Sequence, residues 1–328
     1  MSDRDKFSTS PLTQPQSAEE MEVFKAEVAN GIEDARRSIS AEYGRLAPQD
    51  KRLAYHNEDH TFKDVLRRAD ILLGTIDTAL RAAGEEGISA RDMCLAGLIV
   101  AYHDEVMETT IEEQEDGSRI RRRPDTNELE SSIELLNYMG QSNERQGMLV
   151  FGGKDRRLGN STIWATVPTF LGGTVRQMKL NNRSPLVTIA VAFADLGGAG
   201  MDGPEQLFKE ASGLFFEMNP DVVEAVLTGQ LSEIESDRKE SYKKRIATWF
   251  ESQKRFVQGR KECFGEELGL LPEAARPAVG NLFNRFDDSI AFVDSVSAEF
   301  EKLSLEEITE RMKPGLAVFY PEPDEKKV

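Results

Sequence analysis

The histidines of this chain lie in two short segments. The 328 residues contain three histidines: His56 and His60 in the segment YHNEDH, and His103, which stands directly before Asp104 in AYHDEV. Imidazole nitrogens and carboxylate oxygens bind divalent metal ions, and an imidazole also transfers protons near neutral pH. The placement of the histidines therefore predicts a site of metal or acid–base chemistry to which both segments contribute.

The spacing of His56 and His60 invites comparison with the zinc-peptidase pattern H-E-x-x-H. Residues four apart share one face of a helix, so both imidazoles could bind one zinc ion. Here Asn57 follows the first histidine, and the glutamate is displaced to Glu58. One residue turns a helix by about 100°, which directs this carboxylate away from the position of a general base. The spacing therefore disfavours a peptidase.

Two further acids stand at the ends of apolar segments. His103 and Asp104 end the segment SARDMCLAGLIVAYHDEV, and Asp195 ends SPLVTIAVAFADLGG. Burial of an unpaired carboxylate is costly, and a bound cation removes much of that cost. We therefore expect the segments of His60, His103 and Asp195 to bring polar ligands to one place.

In this order, the residues resemble the HD superfamily of metal-dependent phosphohydrolases. The HD pair follows His60 by 43 residues, and the aspartate of ADL completes the order H…HD…D. YHN with a second histidine four residues later is similar to the cyclic nucleotide phosphodiesterases. YHD followed by TNELESS is similar to the predicted HD phosphohydrolases. The resemblance covers residues 53–200.

The resemblance implies a role for each motif residue. The implied metal ligands are His60, His103, Asp104 and Asp195, and the implied catalytic residues are His56 and Asp104. His56 would protonate the leaving oxygen, while the metal ion would polarise the phosphoryl group and activate water. The further candidates for substrate binding are Asn57, Glu128 and Arg121. Asn57 is also expected to cap the following helix, and Glu128 could instead contact a second metal ion.

The implied ligand set of two histidines and two aspartates suits Mn, Fe, Co, Ni or Zn. HD branches with dinuclear sites, such as the HD-GYP phosphodiesterases and the di-iron oxygenases, need further histidines, which this chain lacks. A second, weaker Mg²⁺ or Mn²⁺ would depend on a bridging Asp104, water and other carboxylates.

Helical periodicity dominates the elements that must position these residues. Ser17 with Glu20 predicts a capped first helix, and Ser89 caps the helix that leads to His103. Pro185 favours a helix over a buried strand for the segment that ends at Asp195. The segment RIRRR at 119–123 could hold a substrate phosphate, although a solvated loop is favoured.

These patterns predict an all-α fold, a single helical bundle of the HD type with additional C-terminal helices. The predicted organisation is a disordered N-terminal tail over 1–16, a helical domain over 17–312 with the motif core at 53–200, and a polar C-terminal tail over 313–328.

Composition excludes several classes of function. No apolar run approaches the roughly 18 residues of a membrane span, and the N-terminus does not have the pattern of a signal peptide. The 58 acidic residues outnumber the 41 basic ones, giving a net charge of −17 that opposes general nucleic-acid binding. Cys94 and Cys263 lie far apart, which predicts reduced thiols and a cytoplasmic location. Trp249, Phe250 and Phe256 are expected in the core or at a subunit interface, which allows a homo-oligomer.

The sequence therefore predicts a metal-dependent phosphohydrolase that cleaves a phosphomonoester or phosphodiester of a small molecule, with a nucleotide favoured. The alternative is a non-catalytic ligand-binding or scaffolding protein that retains an HD pocket. A third hypothesis rests on GAGMDG, residues 198–203, which matches the dinucleotide-binding pattern G-x-G-x-x-G. That site would need a preceding strand and βαβ units, whereas the surrounding pattern is helical.

Overall fold

The computed structural model describes residues 17–123, 125–171 and 174–320. Within these residues the chain forms twelve α-helices and two antiparallel two-stranded sheets, so the prediction of a mainly α-helical fold is confirmed. The helices are α1 (Ala18–Glu42), α2 (Leu66–Ala82), α3 (Ala90–Tyr102), α4 (Thr126–Gln146), α5 (Gly153–Thr166), α6 (Leu186–Asp195), α7 (Pro204–Met218), α8 (Pro220–Leu227), α9 (Ser236–Glu267), α10 (Arg276–Leu282), α11 (Phe286–Phe300) and α12 (Leu305–Met312). The strands are β1 (Thr109–Gln114), β2 (Gly117–Arg122), β3 (Thr169–Leu171) and β4 (Thr174–Arg176).

The starts of two helices follow their capping residues. The backbone N–H of Glu20 donates to the Ser17 hydroxyl at 3.1 Å, and the Ser17 N–H donates to the Glu20 carboxylate at 2.9 Å. The Ser89 hydroxyl accepts from the N–H of Asp92 at 3.0 Å and so caps α3. Both predicted caps are confirmed, because each depends on residues only three positions apart.

Helix α6 is the most enclosed element near the predicted site. All residues from Val187 to Ala194 are buried, and the helix packs against α2, α3 and α5. A helix surrounded by other helices has no solvent face, which explains why its sequence is apolar all round. The segment after Pro185 is thus a helix, as expected, and it holds Asp195 at its C-terminal end.

The buried side chains form two clusters. The larger joins α1 to α6 with parts of α9, α10 and α11, and the smaller is built from α7, α8, α9, α11 and α12. The 3₁₀-helix Lys313–Phe319 adds Leu316 to the smaller cluster, although it falls within the predicted polar tail. Its approach to α7 is so close that a Cβ at Gly315 would overlap the backbone nitrogen of Gly213. These seven residues therefore form part of the packed structure.

The segment RIRRR lies mostly in a β-hairpin, which the favoured loop interpretation did not predict. Strands β1 and β2 pair with Thr109 opposite Arg122 and Gln114 opposite Gly117. At the tip, the Arg245 guanidinium donates to the carbonyl of Asp116 at 3.1 Å. The hairpin is thus tied to α9, and the end of β2 lies next to the start of α4.

Within the described ranges, no helix is both long and apolar enough to cross a lipid bilayer. Cys94 and Cys263 are free thiols, in agreement with the prediction from their separation.

Candidate metal centre

Three separate parts of the chain bring four candidate ligands together. His60 lies in the π-helical segment Asp59–Val65, which leads into α2. His103 and Asp104 follow the last residue of α3, and Asp195 is the last residue of α6. One ligand atom from each side chain lies within 4.8 Å of the others, so the group could hold a metal ion.

The imidazole of His103 is oriented by the helix that precedes it. Its Nδ1 lies 2.7 Å from the carbonyl oxygen of Val100, an arrangement in which Nδ1 carries the proton and donates. Its Nε2 lies 3.2 Å from Asp104 Oδ2 and 3.6 Å from Asp195 Oδ1. A metal-binding histidine commonly donates its second N–H to a carbonyl in this way.

The imidazole of His60 faces the same two carboxylates. Its Nε2 lies 3.6 Å from Asp104 Oδ2 and 3.6 Å from Asp195 Oδ1, and its side chain is only 2% exposed. The ring of Tyr55 covers it, with the ring centroids 4.3 Å apart.

These separations fit a shared cation. Nε2 of His60 and Nε2 of His103 are buried without a hydrogen-bond partner among the residues that the structure describes. Leaving such atoms unpaired is costly. Ligand atoms about 2.1 Å from one ion lie about 3.0 to 3.4 Å apart in neighbouring directions, close to the spacing seen between these nitrogens and the carboxylates. The residues present therefore fit a divalent metal ion.

The charges of the four side chains are strongly coupled. Burial lowers the pKa of His60, but the carboxylates of Asp104 and Asp195 raise it to about 9. Burial also lowers the pKa of His103, but the same two carboxylates raise it well above its usual range. In turn, the two imidazoles outweigh burial and hold the pKa of Asp195 at about 2 and that of Asp104 well below its usual range. A divalent cation could thus replace the protons of the two imidazoles.

His56 lies beside this group and is held by a different acid. Its Nδ1 lies 2.5 Å from Glu217 Oε1. The other oxygen of Glu217 accepts the backbone N–H groups of Tyr55 and His56, both at 2.9 Å. Burial, assisted by the charge of Arg122, lowers the pKa of His56, and Glu217 opposes this shift. Glu217, from α7, therefore fixes both the backbone and the ring of His56.

Arg122 reaches the centre from the end of β2. Its Nη1 donates to His56 Nε2 at 2.9 Å, and its Nη2 lies 3.4 Å from Asp104 Oδ1 and 3.5 Å from Glu128 Oε1. Glu128 is buried in the first turn of α4, and burial raises its pKa, opposed by Arg122. The predicted candidate Arg121 instead forms an ion pair with Glu112 at 2.7 Å, and its side chain is 63% exposed. The structure therefore places Arg122, and not Arg121, beside His56.

Asn57 organises the turn before the π-helical segment. Its amide donates to the carbonyls of Leu53 and Ala54 at 3.0 and 3.1 Å, and its carbonyl accepts from the N–H of Asp59 at 2.9 Å. These bonds agree with the expected capping role. With its polar atoms used by the backbone, Asn57 has little capacity to bind a substrate.

Arg68 supports the end of α6 from behind the centre. The fully buried guanidinium donates to Asp202 at 2.6 Å and to the carbonyl of Ala194 at 3.4 Å, and it also pairs with Glu210. Asp202 belongs to the π-helical segment Gly198–Asp202, which contains most of the G-x-G-x-x-G match. Because this turn follows helix α6, the strand that a dinucleotide site needs does not precede it.

Glu217 was not predicted from the sequence, and within the segment RIRRR the prediction selected Arg121 rather than Arg122. Arg122 could have been distinguished from Arg121 by the alternation of side chains along a strand, had the hairpin been recognised. Glu217 gives no local signal, because its contact with His56 spans 161 residues.

Comparison with protein-family models, with curated protein sequences and with solved structures found no match to this chain. Support for a metal centre therefore comes from the residues of this chain and their geometry alone.

Proposed function

We propose that this protein is a metal-dependent phosphohydrolase that cleaves a phosphate ester of a small molecule. The observation that carries the proposal is the buried group of His60, His103, Asp104 and Asp195, in which two imidazole nitrogens and two carboxylates face one point. The order of these residues along the chain, and their resemblance to the HD superfamily, supply the reaction class.

The four ligands would hold a divalent ion such as Mn, Fe, Co, Ni or Zn. Such an ion polarises a phosphoryl group and activates water for attack on phosphorus. Asp104 and Asp195 would balance its charge, and the hydrogen bond from His103 Nδ1 to Val100 would keep His103 Nε2 directed at it. A second, weaker Mg²⁺ or Mn²⁺ would depend on Asp104, with Glu128 as a further candidate carboxylate.

His56 would act as the general acid. Glu217 accepts the proton on Nδ1, so that Nε2 faces the centre, 2.9 Å from Arg122. Once Arg122 releases Nε2, that nitrogen could take a proton from solvent and donate it to the oxygen that leaves phosphorus, and the buried carboxylate of Glu217 would stabilise the imidazolium that this requires. The substrate class to test first is a nucleotide, as the resemblance implies.

The first experiment measures bound metal and turnover in the same preparations. Purified protein is subjected to elemental analysis and then assayed with nucleotides and simple phosphate esters in the presence of the metal found. We expect His103→Ala and Asp104→Ala each to lose the bound metal and to reduce turnover by about 10²-fold or more, because each removes a ligand. The helical circular dichroism signal should persist.

Asp50→Ala serves as the control, since Asp50 is an exposed carboxylate outside the centre. Full retention of the bound metal by both His103→Ala and Asp104→Ala would contradict the proposal. Metal-dependent ligand binding without turnover of any ester would instead support the non-catalytic alternative.

A further inference from the structure

Arg122 lies beside the candidate metal centre with much of its hydrogen-bonding capacity unused. Its Nε is buried and has no hydrogen-bond partner in the part of the chain that the structure describes. Its Nη2 approaches two carboxylates, but at 3.4 and 3.5 Å, which is long for a charge-assisted hydrogen bond. The side chain is 29% exposed, so a ligand entering from solvent can reach it.

The shortest contact of Arg122 does not neutralise its charge. A guanidinium can only donate, so His56 Nε2 must be the acceptor at 2.9 Å, and the imidazole proton lies on Nδ1. That proton is directed at Glu217. His56 is therefore a neutral imidazole in this arrangement, and it orients the guanidinium without an opposing charge.

We propose that Arg122 binds the phosphoryl group of the substrate, and that His56 positions the guanidinium until the substrate arrives. This inference rests on the proposed function and assigns its anion-binding residue. A guanidinium presents paired N–H groups that match two phosphoryl oxygens, with bonds of about 2.7 to 2.9 Å. Phosphoryl binding would replace the two long contacts of Nη2 with carboxylates by short hydrogen bonds, and it would give the unpaired Nε a partner.

The hairpin holds Arg122 in place for this task. At the opposite end of the hairpin, the Arg245 guanidinium binds the Asp116 carbonyl at 3.1 Å and Asp221 at 2.8 Å. Because side chains alternate along a strand, Arg121 projects to the other face, where it pairs with Glu112. The chain thus offers a neighbouring arginine as a matched control for charge.

The experiment uses inorganic phosphate as the probe and isothermal titration calorimetry of Mn²⁺-loaded protein. We expect Arg122→Gln to weaken phosphate binding by about tenfold or more, because a charge-assisted pair is lost. Arg122→Lys should be intermediate, since lysine keeps the charge but lacks the planar fork. Arg121→Gln should stay within about twofold of the wild type, because an exposed charge contributes little.

If Arg122→Gln binds phosphate with an affinity within about twofold of the wild type, the inference is overturned. An equal loss of affinity in Arg121→Gln would also overturn it, because that result would indicate a general effect of charge. A wild type that binds no phosphate would overturn it as well. Mn²⁺ titrations of the metal-stripped variants, and phosphate titrations without Mn²⁺, separate this inference from the proposed function. A wild type that does not bind Mn²⁺ but binds phosphate through Arg122 would support the inference and contradict the metal-dependent function.

Discussion

The imidazole of His56 contacts two neighbours of opposite charge. Glu217 holds its Nδ1 side, and Arg122 donates to its Nε2 side. His60 and His103 instead face two carboxylates and lack a hydrogen-bonded cation at Nε2 within the described ranges. The three histidines therefore occupy two distinct environments, and substitutions should separate metal binding from proton transfer.

Glu217→Gln tests the environment of His56. Glutamine can still accept hydrogen bonds from the backbone, but it lacks the charge that would stabilise a protonated His56. We expect kcat to fall by about 10- to 100-fold, since a general acid contributes on that order or more. The metal content should be unchanged.

The matched control is Glu205→Gln, an exposed glutamate on the same helix. Elemental analysis and steady-state kinetics check both expectations. An unchanged kcat, or loss of metal with Glu217→Gln, would argue against the role given to His56.

The parts of the site that could be predicted from sequence are those encoded by order and short spacing. His60, His103, Asp104 and Asp195 could be selected because their types can bind a metal ion and their segments end or begin buried elements, and the structure brings them together. The contact of Glu217 depends on how α7 packs against the turn at Tyr55, which is a tertiary property. Within the segment RIRRR, Arg121 was selected in place of Arg122, because a two-stranded hairpin has a weak sequence signal among helices.

The same distinction applies to whole elements. Capped helices such as α1 and α3 could be predicted because a capping residue acts within one turn. The 3₁₀-helix Lys313–Phe319 could not, because it is stabilised by the burial of Leu316 against distant helices. Helix α1 packs closely against its neighbours at Gly31. A Cβ there would lie 2.5 Å from Leu98 Cδ1 in α3 and 2.5 Å from Tyr138 Cε1 in α4.

Gly31→Ala should therefore destabilise the protein by about 1 to 3 kcal/mol, because the added methyl group overpacks the contact of α1 with α3 and α4. The control is Gly74→Ala in α2, where the site is exposed and the added Cβ would meet no described atom within 4 Å. Removing a helical glycine there should stabilise the protein by about 0.5 to 1 kcal/mol. Urea unfolding measures both changes, and equal effects of the two substitutions would contradict this account of α1.

At the scale of the whole molecule, the centre joins parts of the chain that are distant in sequence. The candidate ligands extend from His60 to Asp195, and Glu217 adds a residue from α7, which carries side chains of the smaller cluster. Unfolding would disperse all of these groups. An ion that binds only the assembled centre must therefore stabilise the entire fold.

Metal removal should accordingly lower the melting temperature. An ion present at about 100 times its Kd adds about 2.7 kcal/mol to the free energy of unfolding, which corresponds to a rise in Tm on the order of 5 °C for a chain of this size. Differential scanning calorimetry with and without EDTA, followed by readdition of Mn²⁺, measures the shift. Asp195→Ala should abolish it, and an equal shift in that variant would mean that the stabilising ion binds elsewhere.

The concentration of His56, His60 and His103 around one point has a spectroscopic consequence. No other histidine exists in the chain to add background signals. Selective ¹⁵N-histidine labelling would give a nuclear magnetic resonance spectrum of a 36.7 kDa protein in which every imidazole resonance comes from this one place. The tautomer of each imidazole and the binding of the ion could then be followed at individual nitrogen atoms, without assignment of the backbone resonances.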